Sequence, residues 1–512
     1  MAAILGVDNG LTVTKAVIFD FQGRQLAVAR RKVPQIKPQA HFVERDMDVL
    51  WIQTAAAIYE ALALSQLNAA DITAVSVTAH GDGLYLLDAK KRPLGKGILS
   101  LDSRAQSVVS AWDSSGLSLR IAKISGQNPH ASAPAALLAW IKDHQPERFG
   151  KIAHIISSKD WLRFCLTGEI ATDRTEASTS FTDVTTQEYS KDIAVLFGLS
   201  DLFATLPEMR HSAEIAGHIT AEAAELTSLK KGTPVATGLH DVTASALGIG
   251  AHSKGILGVI AGTYSINEVV SYAPKRSHNW LCRNAIEPGQ WNNMAISPSS
   301  TANYEWFLET FCKAELQHAA AKSSSIHDQL GAEIDAGFAR NSSVLFHPYL
   351  FGSPFGADAS ASFMGLRGWH NRSDIIAAIL EGIAFNHRHH VQDLQTGFTF
   401  QTAHLTGGAS RNPHIAQVFA DVLGLPVKVA RIDEAAAWGA AVCAGKAVGV
   451  FGSVIETASE IAADCQTYGP RSEHHARFSA RYDIYRDIAK NLRVNWGQLE
   501  QLVAQTNAAT TL

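Results

Sequence analysis

The sequence contains one short pattern twice, once near its start and once just past its midpoint. Residues 4–12 (ILGVDNGLT) return as residues 256–264 (ILGVIAGTY). In each copy an apolar, strand-like run leads into glycine and hydroxyl residues, and a second apolar run follows. The pattern predicts two β-hairpins whose tips present backbone N–H groups and hydroxyls without an obstructing Cβ. Because such tips bind anions, we expect two lobes that close on one polyphosphate.

The length of the chain and the order of its patterns predict more than one domain. At 512 residues the chain exceeds the size that a single hydrophobic core supports. Short apolar runs alternate with helical patterns, which is typical of an α/β protein. A glycine-rich polar stretch at 248–255 precedes the second hairpin and indicates a boundary. We therefore expect an N-terminal domain over residues 1–247 and a C-terminal domain over residues 248–512, with a closing amphipathic helix at 473–503 that returns toward the first domain.

The charge and cysteine content argue against several classes of protein. The formal net charge is -4, so the chain lacks the basic surface that nucleic-acid binding requires. Its five cysteines are dispersed and form no CxxC pair, which indicates free thiols in a reducing compartment. No uninterrupted apolar stretch approaches the length of a membrane span, and the chain starts with a strand pattern rather than a leader. We expect a cytoplasmic protein without nucleic-acid or membrane partners.

The clearest local pattern lies in the C-terminal half. An apolar run at 403–406 predicts a strand, and Gly407 with Gly408 predicts a loop. Asn412 suits the N-cap of a following helix, which ends at the glycine and proline after residue 423. A glycine pair lets a base or a phosphate approach the backbone, so this unit is a candidate nucleotide site. The alternative is a plain tight turn between strand and helix.

A carboxylate at the first hairpin tip is the candidate metal ligand. The chain contains neither GxxxxGKS/T nor GxGxxG after its first strand, which argues against a P-loop and against a dinucleotide dehydrogenase. Asp8 ends the first strand pattern and can hold Mg²⁺ through water, because Mg²⁺ dehydrates reluctantly. The alternative is that Asp8 only forms the turn. Four neighbouring residues are candidates for contact with phosphate: Gly10, Thr12, Thr14 and Lys15.

A second carboxylate is the candidate proton acceptor. Asp241 ends the run 234–240 and starts the helical pattern 242–247. The helix dipole and the unpaired N–H groups there favour the ionised carboxylate. An ionised carboxylate near a substrate hydroxyl is what phosphoryl transfer to an alcohol requires. The alternative, which the local sequence supports equally, is that Asp241 only caps its helix.

Two polar clusters at strand ends are candidates for binding a polyhydroxy ligand. His80 and Asp82 follow the strand pattern 74–77, and Asp102 follows a short apolar run. A carboxylate can accept two hydroxyl protons, so Asp82 and Asp102 suit such a ligand. In the alternative, Arg104 pairs with Asp102 and makes it structural.

A histidine cluster and a serine-rich stretch have no assigned chemistry. His387 and His390 share a helix face, but no acidic or thiol partner stands near them in the sequence. We therefore interpret the cluster as a solvated helix end rather than a metal site. Residues 297–301 (SPSST) are interpreted as a loop.

Together these motifs resemble those of the FGGY carbohydrate kinases, the sugar-kinase branch of the actin-like and hexokinase-like ATPases. The resemblance extends from Gly6-Val7-Asp8-Asn9-Gly10 to the alanine-rich run 435–441. It implies an α/β fold of two RNase H-like domains around a cleft in which MgATP meets a sugar. It also implies a role for each motif: Asp241 as catalytic base, Asp8 for Mg²⁺, Gly10, Thr12, Gly262 and Thr263 for phosphate, Gly407, Gly408 and Asn412 for the nucleotide, and His80, Asp82, Asp102 and Asp241 for the sugar.

One departure from the family pattern bears on the acceptor. Where the common xylulose kinases carry Met-His-Gly, this chain carries Gly81-Asp82-Gly83, so an acid replaces the substrate-binding histidine. Glycerol kinases carry an acid at that point, but Ser100 stands where their aromatic wall would be. The sequence as a whole is most similar to those of L-xylulose kinases, and its Gly-Asp-Gly motif is similar to that of erythritol kinases. A small ketose, xylulose first, is implied, with a polyol such as erythritol or glycerol as the alternative.

The resemblance leaves one alternative outside catalysis. An actin-like ATPase that acts in assembly would share the fold and the phosphate hairpins, but it would give Asp82 and Asp102 no ligand. The family often dimerises, so a homodimer is implied.

Overall fold

The structure is a computed structural model that describes residues 1–322, 326–356 and 358–510. The chain divides into two compact units. The first unit contains residues 1–254, 269–294 and 431–464, and the second contains residues 255–268, 295–430 and 465–512. The expected domain boundary near residue 247, and the expected return of the last helix toward the first domain, stay predictions.

The described residues form strands of mixed orientation. In chain order these are β1 (Ala3–Asn9), β2 (Val13–Phe19), β3 (Gln25–Lys32), β4 (Glu44–Arg45), β5 (Ile72–Ala79), β6 (Tyr85–Leu87), β7 (Gly97–Ile98), β8 (His154–Ile156), β9 (Thr172–Asp173), β10 (Met209–Arg210), β11 (Ile215–His218), β12 (Pro234–Ala236), β13 (Leu239–His240), β14 (Ile256–Ala261), β15 (Ser265–Ser271), β16 (Leu281–Asn284), β17 (Trp291–Ser297), β18 (Leu345–His347), β19 (Ser362–Met364), β20 (Thr402–Thr406), β21 (Val427–Ala430) and β22 (Cys465–Tyr468).

Helices alternate with these strands, as the pattern predicts. They are α1 (Met47–Ser65), α2 (Gln106–Ser114), α3 (Leu117–Ser125), α4 (Pro134–His144), α5 (Pro146–Phe149), α6 (Ser158–Thr167), α7 (Arg174–Ala177), α8 (Lys191–Leu196), α9 (Ala221–Thr227), α10 (Asp241–Gly248), α11 (Ala302–Phe311), α12 (Lys313–Ala321), α13 (Ile326–Ala339), α14 (Arg372–Gln395), α15 (Pro413–Leu423), α16 (Ala435–Ala447), α17 (Val454–Ile461) and α18 (Ser472–Thr510).

The main sheet of the first unit has the strand order β11-β12-β5-β1-β2-β3, and β13 also pairs with β5. Strands β1 and β2 form the first predicted hairpin, in which Asp8 lies opposite Lys15. Strand β5 runs parallel to β1, so the ends of β1 and β5 reach the same edge of the sheet. Strand β13, which leads directly into Asp241, is parallel to β5 and ends there too. The topology thus gathers residues that follow β1, β5 and β13 at one edge.

The sheet of the second unit places the second predicted hairpin beside the glycine-pair loop. Strands β14 and β15 are antiparallel, with Ala261 opposite Ser265. Strand β20 is parallel to β14, with Thr406 opposite Ile260, and β21 and β22 follow. The hairpin tip after Ala261 and the loop after Thr406 therefore lie next to each other.

Among the described residues, helix α1 is the one segment that bears on the expectation that no uninterrupted apolar stretch approaches the length of a membrane span. Its 19 residues meet the test for such a span by length and composition, with a mean hydropathy of 1.2. Asp48 and Glu60 interrupt this helix, so it is not an uninterrupted apolar stretch and does not contradict the expectation. The buried face of α1, which includes Leu50, Ile58 and Leu62, belongs to the core of the first unit. A core helix passes the same test, so this finding is weak support for a membrane span.

The closing helix α18 packs by the predicted face. Phe478, Tyr482 and Tyr485 are buried. The Tyr485 hydroxyl lies 2.8 Å from that of Tyr349, and the Phe385 ring lies 5.5 Å from the Tyr482 ring. These contacts all lie within the second unit.

Candidate active site

The first hairpin carries an ion-paired cluster rather than a free lysine. The Lys15 Nζ lies 2.9 Å from Glu434 Oε2 and 3.6 Å from Asp8 Oδ2. Glu434 directly precedes α16, and it also pairs with Arg30. Burial raises the pKa of Asp8, and the neighbouring Lys15 only partly opposes this. The positive charge expected to meet phosphate is therefore shared between two carboxylates.

A buried arginine, Arg45, stabilises the tip of this hairpin through hydrogen bonds. The Arg45 guanidinium donates to Asn9 Oδ1 at 3.1 Å and to the backbone carbonyl of Gly10 at 3.3 Å. Gly10 closes the turn by donating its N–H to the carbonyl of Val13, and Thr12 is exposed at the tip. The tip therefore has a fixed backbone and an accessible hydroxyl, as an anion site requires.

The expectation for Thr14 is contradicted by its place in β2. Its side chain is fully buried, and its hydroxyl lies 3.2 Å from that of Thr54 in α1. Successive residues of a strand point to opposite faces, so Thr14 points into the core. It is thus a packing residue and not a phosphate contact.

Asp241 is the first residue of α10 and lies near two other carboxyl groups, those of Asp8 and Asp82. Its Oδ1 accepts the backbone N–H of Val242 at 2.7 Å and lies 3.5 Å from His240 Nδ1. Burial, together with the nearby Asp8 carboxylate, raises the pKa of Asp241 to about 7. We expected the helix terminus to favour the ionised carboxylate and so to lower its pKa. The pKa is raised instead, because burial and the neighbouring negative charge outweigh the helix dipole. A carboxyl with a pKa near neutrality suits proton transfer better than a fully ionised one.

Asp82 is held in an unusual backbone conformation and paired with an arginine. Its φ is +56°, which glycine adopts more readily than aspartate. Its Oδ1 accepts from Arg283 Nη2 at 3.0 Å and lies 3.5 Å from His130 Nε2. Although burial alone raises the pKa of Asp82, these cationic neighbours hold it well below its ordinary value. Asp82 also contributes to the raised pKa of Asp241, so the two carboxylates lie within electrostatic range.

Two buried histidines beside these carboxylates have unpaired ring nitrogens. Neither nitrogen of His80 or of His240 has a hydrogen-bond partner within the described ranges. Burial lowers the pKa of His80 to about 3 and that of His240 to about 4, so both rings are neutral. A Cβ on Gly81 would come 1.8 Å from His240 Nε2, which shows how closely that ring lies to the Asp82 loop. Unsatisfied buried nitrogens cost about 1–3 kcal/mol each, and a polyhydroxy ligand would relieve that cost.

Asp102 does not join this group. Its Oδ1 accepts from the backbone N and the Nε of Arg104 at 3.0 and 2.9 Å. Its Oδ2 accepts from Val43 N and Arg104 Nη2, each at 2.7 Å, and the side chain is fully buried. The carboxylate thus already accepts four hydrogen bonds. This geometry favours the structural alternative over the expected contact with a sugar.

The second hairpin and the glycine-pair loop form one region of the second unit. The carbonyl of Gly262 accepts from both the N–H and the hydroxyl of Thr301, at 2.9 and 2.6 Å, and Thr263 is exposed at the tip. A Cβ on Gly407 would come 2.1 Å from the carbonyl oxygen of Ala261, so glycine is required there. Its φ of +111° has the same consequence.

A cavity of about 220 Å³ opens beside Gly408. It is lined by Thr301, Tyr304, Glu305, Leu308, Glu309, Leu316, Ile326 and Gly408. Asn412 caps α15 as predicted, with its side chain accepting from His414 N and Ile415 N. No atom of the described residues lies within 4 Å of a Cβ added to Gly408, so the space beside its Cα is open. A cavity of mixed lining, with Leu308, Leu316 and Ile326 beside polar side chains, at a glycine loop and beside a hairpin tip is a candidate site for the base of a nucleotide.

His387 and His390 are not at a solvated helix end, so that interpretation was wrong. Both are buried on α14. The His387 ring lies 2.9 Å from Asn267 Oδ1 and 3.1 Å from the Ser300 hydroxyl, and the His390 ring lies 2.9 Å from the Ser297 hydroxyl. Ser297 is the last residue of β17, and Ser300 lies in the loop between β17 and α11, which contacts Gly262 through Thr301. The cluster therefore supports this loop.

The residues present fit a magnesium ion held mainly by other ligands. The described residues contain no group of three or more His, Cys, Asp or Glu side chains that could enclose a metal. Asp8 and Asp241 nevertheless raise each other's cost of ionisation, which a divalent cation would relieve. Mg²⁺ is commonly held by one or two carboxylates with water and substrate phosphates. Asp8 fits such a site.

Three of these residues were not predicted. Glu434 and Arg283 meet Lys15 and Asp82 across 419 and 201 residues of sequence, and no local pattern indicates either contact. His240 adjoins Asp241, and its position was the only signal that could have indicated a role.

The family comparisons match both halves of the chain. The profile of the "FGGY family of carbohydrate kinases, N-terminal domain" matches residues 3–248, and that of the C-terminal domain of the same family matches residues 257–448.

Individual relatives are similar over most of their length. An L-xylulose/3-keto-L-gulonate kinase of Escherichia coli (strain K12) is 31% identical over 493 residues, which cover 96% of this chain and 97% of that protein. An erythritol kinase of Brucella abortus (strain 2308) is 29% identical over 474 residues, or 89% of each chain. A ligand-bound xylulose kinase from Lactobacillus acidophilus has the same fold, with a TM-score of 0.85, 22% identity, and coverage of 98% of this chain and 100% of that one.

Proposed function

The chain belongs to the FGGY family of carbohydrate kinases, and we propose that it transfers the γ-phosphoryl group of MgATP to the terminal hydroxyl of a small ketose, xylulose first. Kinases of this family use ATP, generally with Mg²⁺. The observation that carries the proposal is the setting of Asp241. It is a carboxyl with a pKa of about 7, near Asp82 and near the neutral His80 and His240, whose ring nitrogens have no hydrogen-bond partner among the described residues.

Asp241 is the proposed catalytic base. In its ionised form it accepts the proton of the acceptor hydroxyl as the oxygen attacks phosphorus. Its place at the first turn of α10 fixes the carboxylate relative to the end of β13. The same residue also contacts the acceptor, because a base must lie within hydrogen-bond reach of the proton that it takes.

The acceptor is proposed to bind at the Asp82 loop. Asp82 offers a carboxylate that remains ionised, and His80 and His240 each offer one donor and one acceptor as neutral imidazoles. Each hydroxyl of a sugar or polyol both donates and accepts hydrogen bonds, so a site that offers donors and acceptors together suits such a ligand. Asp102 is assigned to the fold, where its pairing with Arg104 fixes the neighbouring segment.

The first hairpin is proposed to receive the phosphates and the metal. Asp8 would hold Mg²⁺ through water, and Gly10 and Thr12 would offer N–H and hydroxyl groups at the tip. Lys15 is proposed to act on charge balance, held between Asp8 and Glu434, rather than as a direct phosphate ligand. When bound, Mg²⁺ would neutralise charge that develops on the γ-phosphoryl group.

The nucleotide is proposed to bind in the second unit. The base would occupy the cavity beside Gly408, and Gly262 and Thr263 would meet the phosphates. Gly407 allows the loop to lie against β14, and Asn412 fixes the start of α15 at the same place. On this assignment residues 1–247 form the acceptor domain and residues 248–512 the nucleotide domain.

A polyol such as erythritol or glycerol is the second candidate acceptor. It is supported by Asp82 and by similarity to a relative that is named an erythritol kinase. The cytoplasm as location, the homodimer, and the absence of nucleic-acid or membrane partners also stay proposals. The net charge of -4 supports the proposal that the protein has no nucleic-acid partner.

The test is a panel of three- to six-carbon sugars and polyols with MgATP, read by coupled release of ADP. We expect release that depends on the acceptor, fastest with a ketopentose such as xylulose and, as the alternative, with a four-carbon polyol. Release of ADP that no acceptor accelerates would instead support an ATPase that acts in assembly.

A further inference from the structure

Arg283 supplies a fixed positive charge beside the proposed acceptor site. It comes from β16, and only 2% of its side chain is exposed. Its Nε donates to Gln127 Oε1 at 2.8 Å, and its Nη2 donates to Asp82 Oδ1 at 3.0 Å. A buried guanidinium needs a carboxylate partner, and Asp82 is the one that it has. The positive charge is therefore neutralised before any substrate binds.

The loop that carries Asp82 cannot easily turn that carboxylate away. Gly81 lies against the His240 ring, and the N–H of Gly83 donates to the carbonyl of Ser132 at 2.8 Å. A Cβ on Gly83 would come 2.3 Å from the carbonyl oxygen of Ile98. Both neighbours of Asp82 are thus packed against other elements, so the pairing with Arg283 is built into the backbone.

The remaining polar groups around this pair suit uncharged hydroxyls. His80 and His240 are neutral and have ring nitrogens without a hydrogen-bond partner among the described residues, while Asp241 and Asp8 add negative charge when they are ionised. The nearby His130 is partly exposed, and its Nε2 lies 3.5 Å from the same Asp82 oxygen that Arg283 contacts. Of the two guanidinium groups that the described residues place near this site, Arg283 is paired with Asp82, and the fully buried Arg45 already donates to Asn9 and to the backbone carbonyl of Gly10.

We propose that the Asp82–Arg283 pair is a specificity determinant that admits neutral sugars and polyols as acceptors and rejects acidic sugars such as aldonates. An acidic acceptor would bring its carboxylate to a site whose fixed arginine is already paired with Asp82, and where Asp8 and Asp241 add negative charge when they are ionised. This inference rests on the proposed function, because it concerns the acceptor of the same site. It goes beyond that function by naming the charge of the acceptor and the residue pair that selects it.

The test compares xylulose with xylonate, a five-carbon acid that also has a terminal hydroxyl. Each is measured by kcat/KM with MgATP and, independently of turnover, by calorimetric binding. We expect wild-type protein to prefer xylulose by about 100-fold, the scale of one unrelieved contact between like charges at a partly solvated site. In Asp82→Asn the preference should fall by at least about tenfold, because Arg283 is released to pair with the acid.

Two further variants separate charge selection from other effects. Asp82→Asn combined with Arg283→Gln should lose the gain in binding of xylonate, since the released cation is gone. Asp113→Asn changes the net charge equally on the exposed side of α2 and should leave the preference as in wild type. Thermal unfolding of each variant checks that the folded fraction is unchanged at the assay temperature.

Equal use of xylonate and xylulose by wild-type protein would overturn the inference, as would an unchanged preference in Asp82→Asn. Binding of neither compound would overturn both the inference and the proposed acceptor site. Preferential binding of xylulose without phosphoryl transfer would support the charge selection and contradict the proposed function alone.

Discussion

Gly6 of β1 lies so close to Ala437 of α16 that a Cβ on Gly6 would come 2.0 Å from the alanine carbonyl oxygen. The other side of α16 meets α10 in the same way. A Cβ on Gly439 would come 2.0 Å from the carbonyl oxygen of Ala244, and one on Gly248 would come 2.0 Å from that of Ala435. The alanine-rich run is therefore a helix that packs by its backbone between the strand that carries Asp8 and the helix that starts at Asp241.

This packing predicts that Gly439→Ala destabilises the protein by about 1–3 kcal/mol, because an added methyl group meets a backbone carbonyl that cannot move alone. Urea unfolding measures the change. Gly452→Ala is the matched control, since an added Cβ there has no neighbour within 4 Å in the part of the chain that the structure describes. Equal stability of the two variants would contradict the packing argument.

Asp241→Asn should abolish most turnover while the protein stays folded. If Asp241 is the base, kcat falls by about 100-fold or more, because no other group accepts the proton as well. The raised pKa also means that ionisation of Asp241 opposes folding, so the amide should raise the melting temperature more at pH 8 than at pH 5, and the difference should vanish only near the ordinary aspartate pKa of 3.8. Coupled release of ADP and thermal unfolding measure the two effects. Turnover close to that of wild type would reject the assignment.

The pH dependence of kcat/KM for the acceptor should follow Asp241. Its pKa of about 7 lies above the ordinary aspartate value of 3.8, so the carboxyl is protonated and inactive as a base below neutrality. Activity should rise through about pH 7 and fall by about tenfold for each pH unit below it. A rate profile on the free enzyme tests this. A flat profile between about pH 5 and pH 7 would place the base elsewhere.

His387→Ala should weaken nucleotide binding as well as stability. The lost hydrogen bonds to Asn267 and Ser300 cost about 1–3 kcal/mol and loosen the loop that Thr301 joins to Gly262. Calorimetric titration with ADP measures the affinity. His347→Ala is the control, since His347 is equally buried in the same unit but bonds to the carbonyl of Tyr485. If both variants bind ADP like wild type, the cluster has no link to the nucleotide.

Asp102→Asn should destabilise the fold without a specific effect on the acceptor. Breaking its buried pair with Arg104 costs about 3–5 kcal/mol. The fraction that stays folded at low temperature should keep the KM for sugar of wild type. A raised KM for sugar with unchanged unfolding in urea would instead support the expected contact between Asp102 and the acceptor.

Much of the fold follows from short-range pattern. Both hairpins and the capped helix at 413–423 form where the sequence predicts them, because alternation, N-caps and terminating glycines act between near neighbours. The family resemblance, which the comparisons confirm, also rests on such short motifs. The wrong expectations concern burial. Thr14 and His387 are polar residues that the sequence placed near phosphate or solvent, and both point into cores.

The amino-acid sequence alone specifies the α/β pattern and the two hairpins. It also specifies that Asp8, Asp82 and Asp241 lie at the ends of strands. Each of these features depends on residues only a few positions apart. Only the tertiary structure decided which of those groups carries charge and which partner each one has. Burial beside Asp8 sets the protonation of Asp241, and Arg283 and Glu434 reach Asp82 and Lys15 from distant parts of the sequence. Solvation and long-range charge depend on distances in space, which local sequence does not specify.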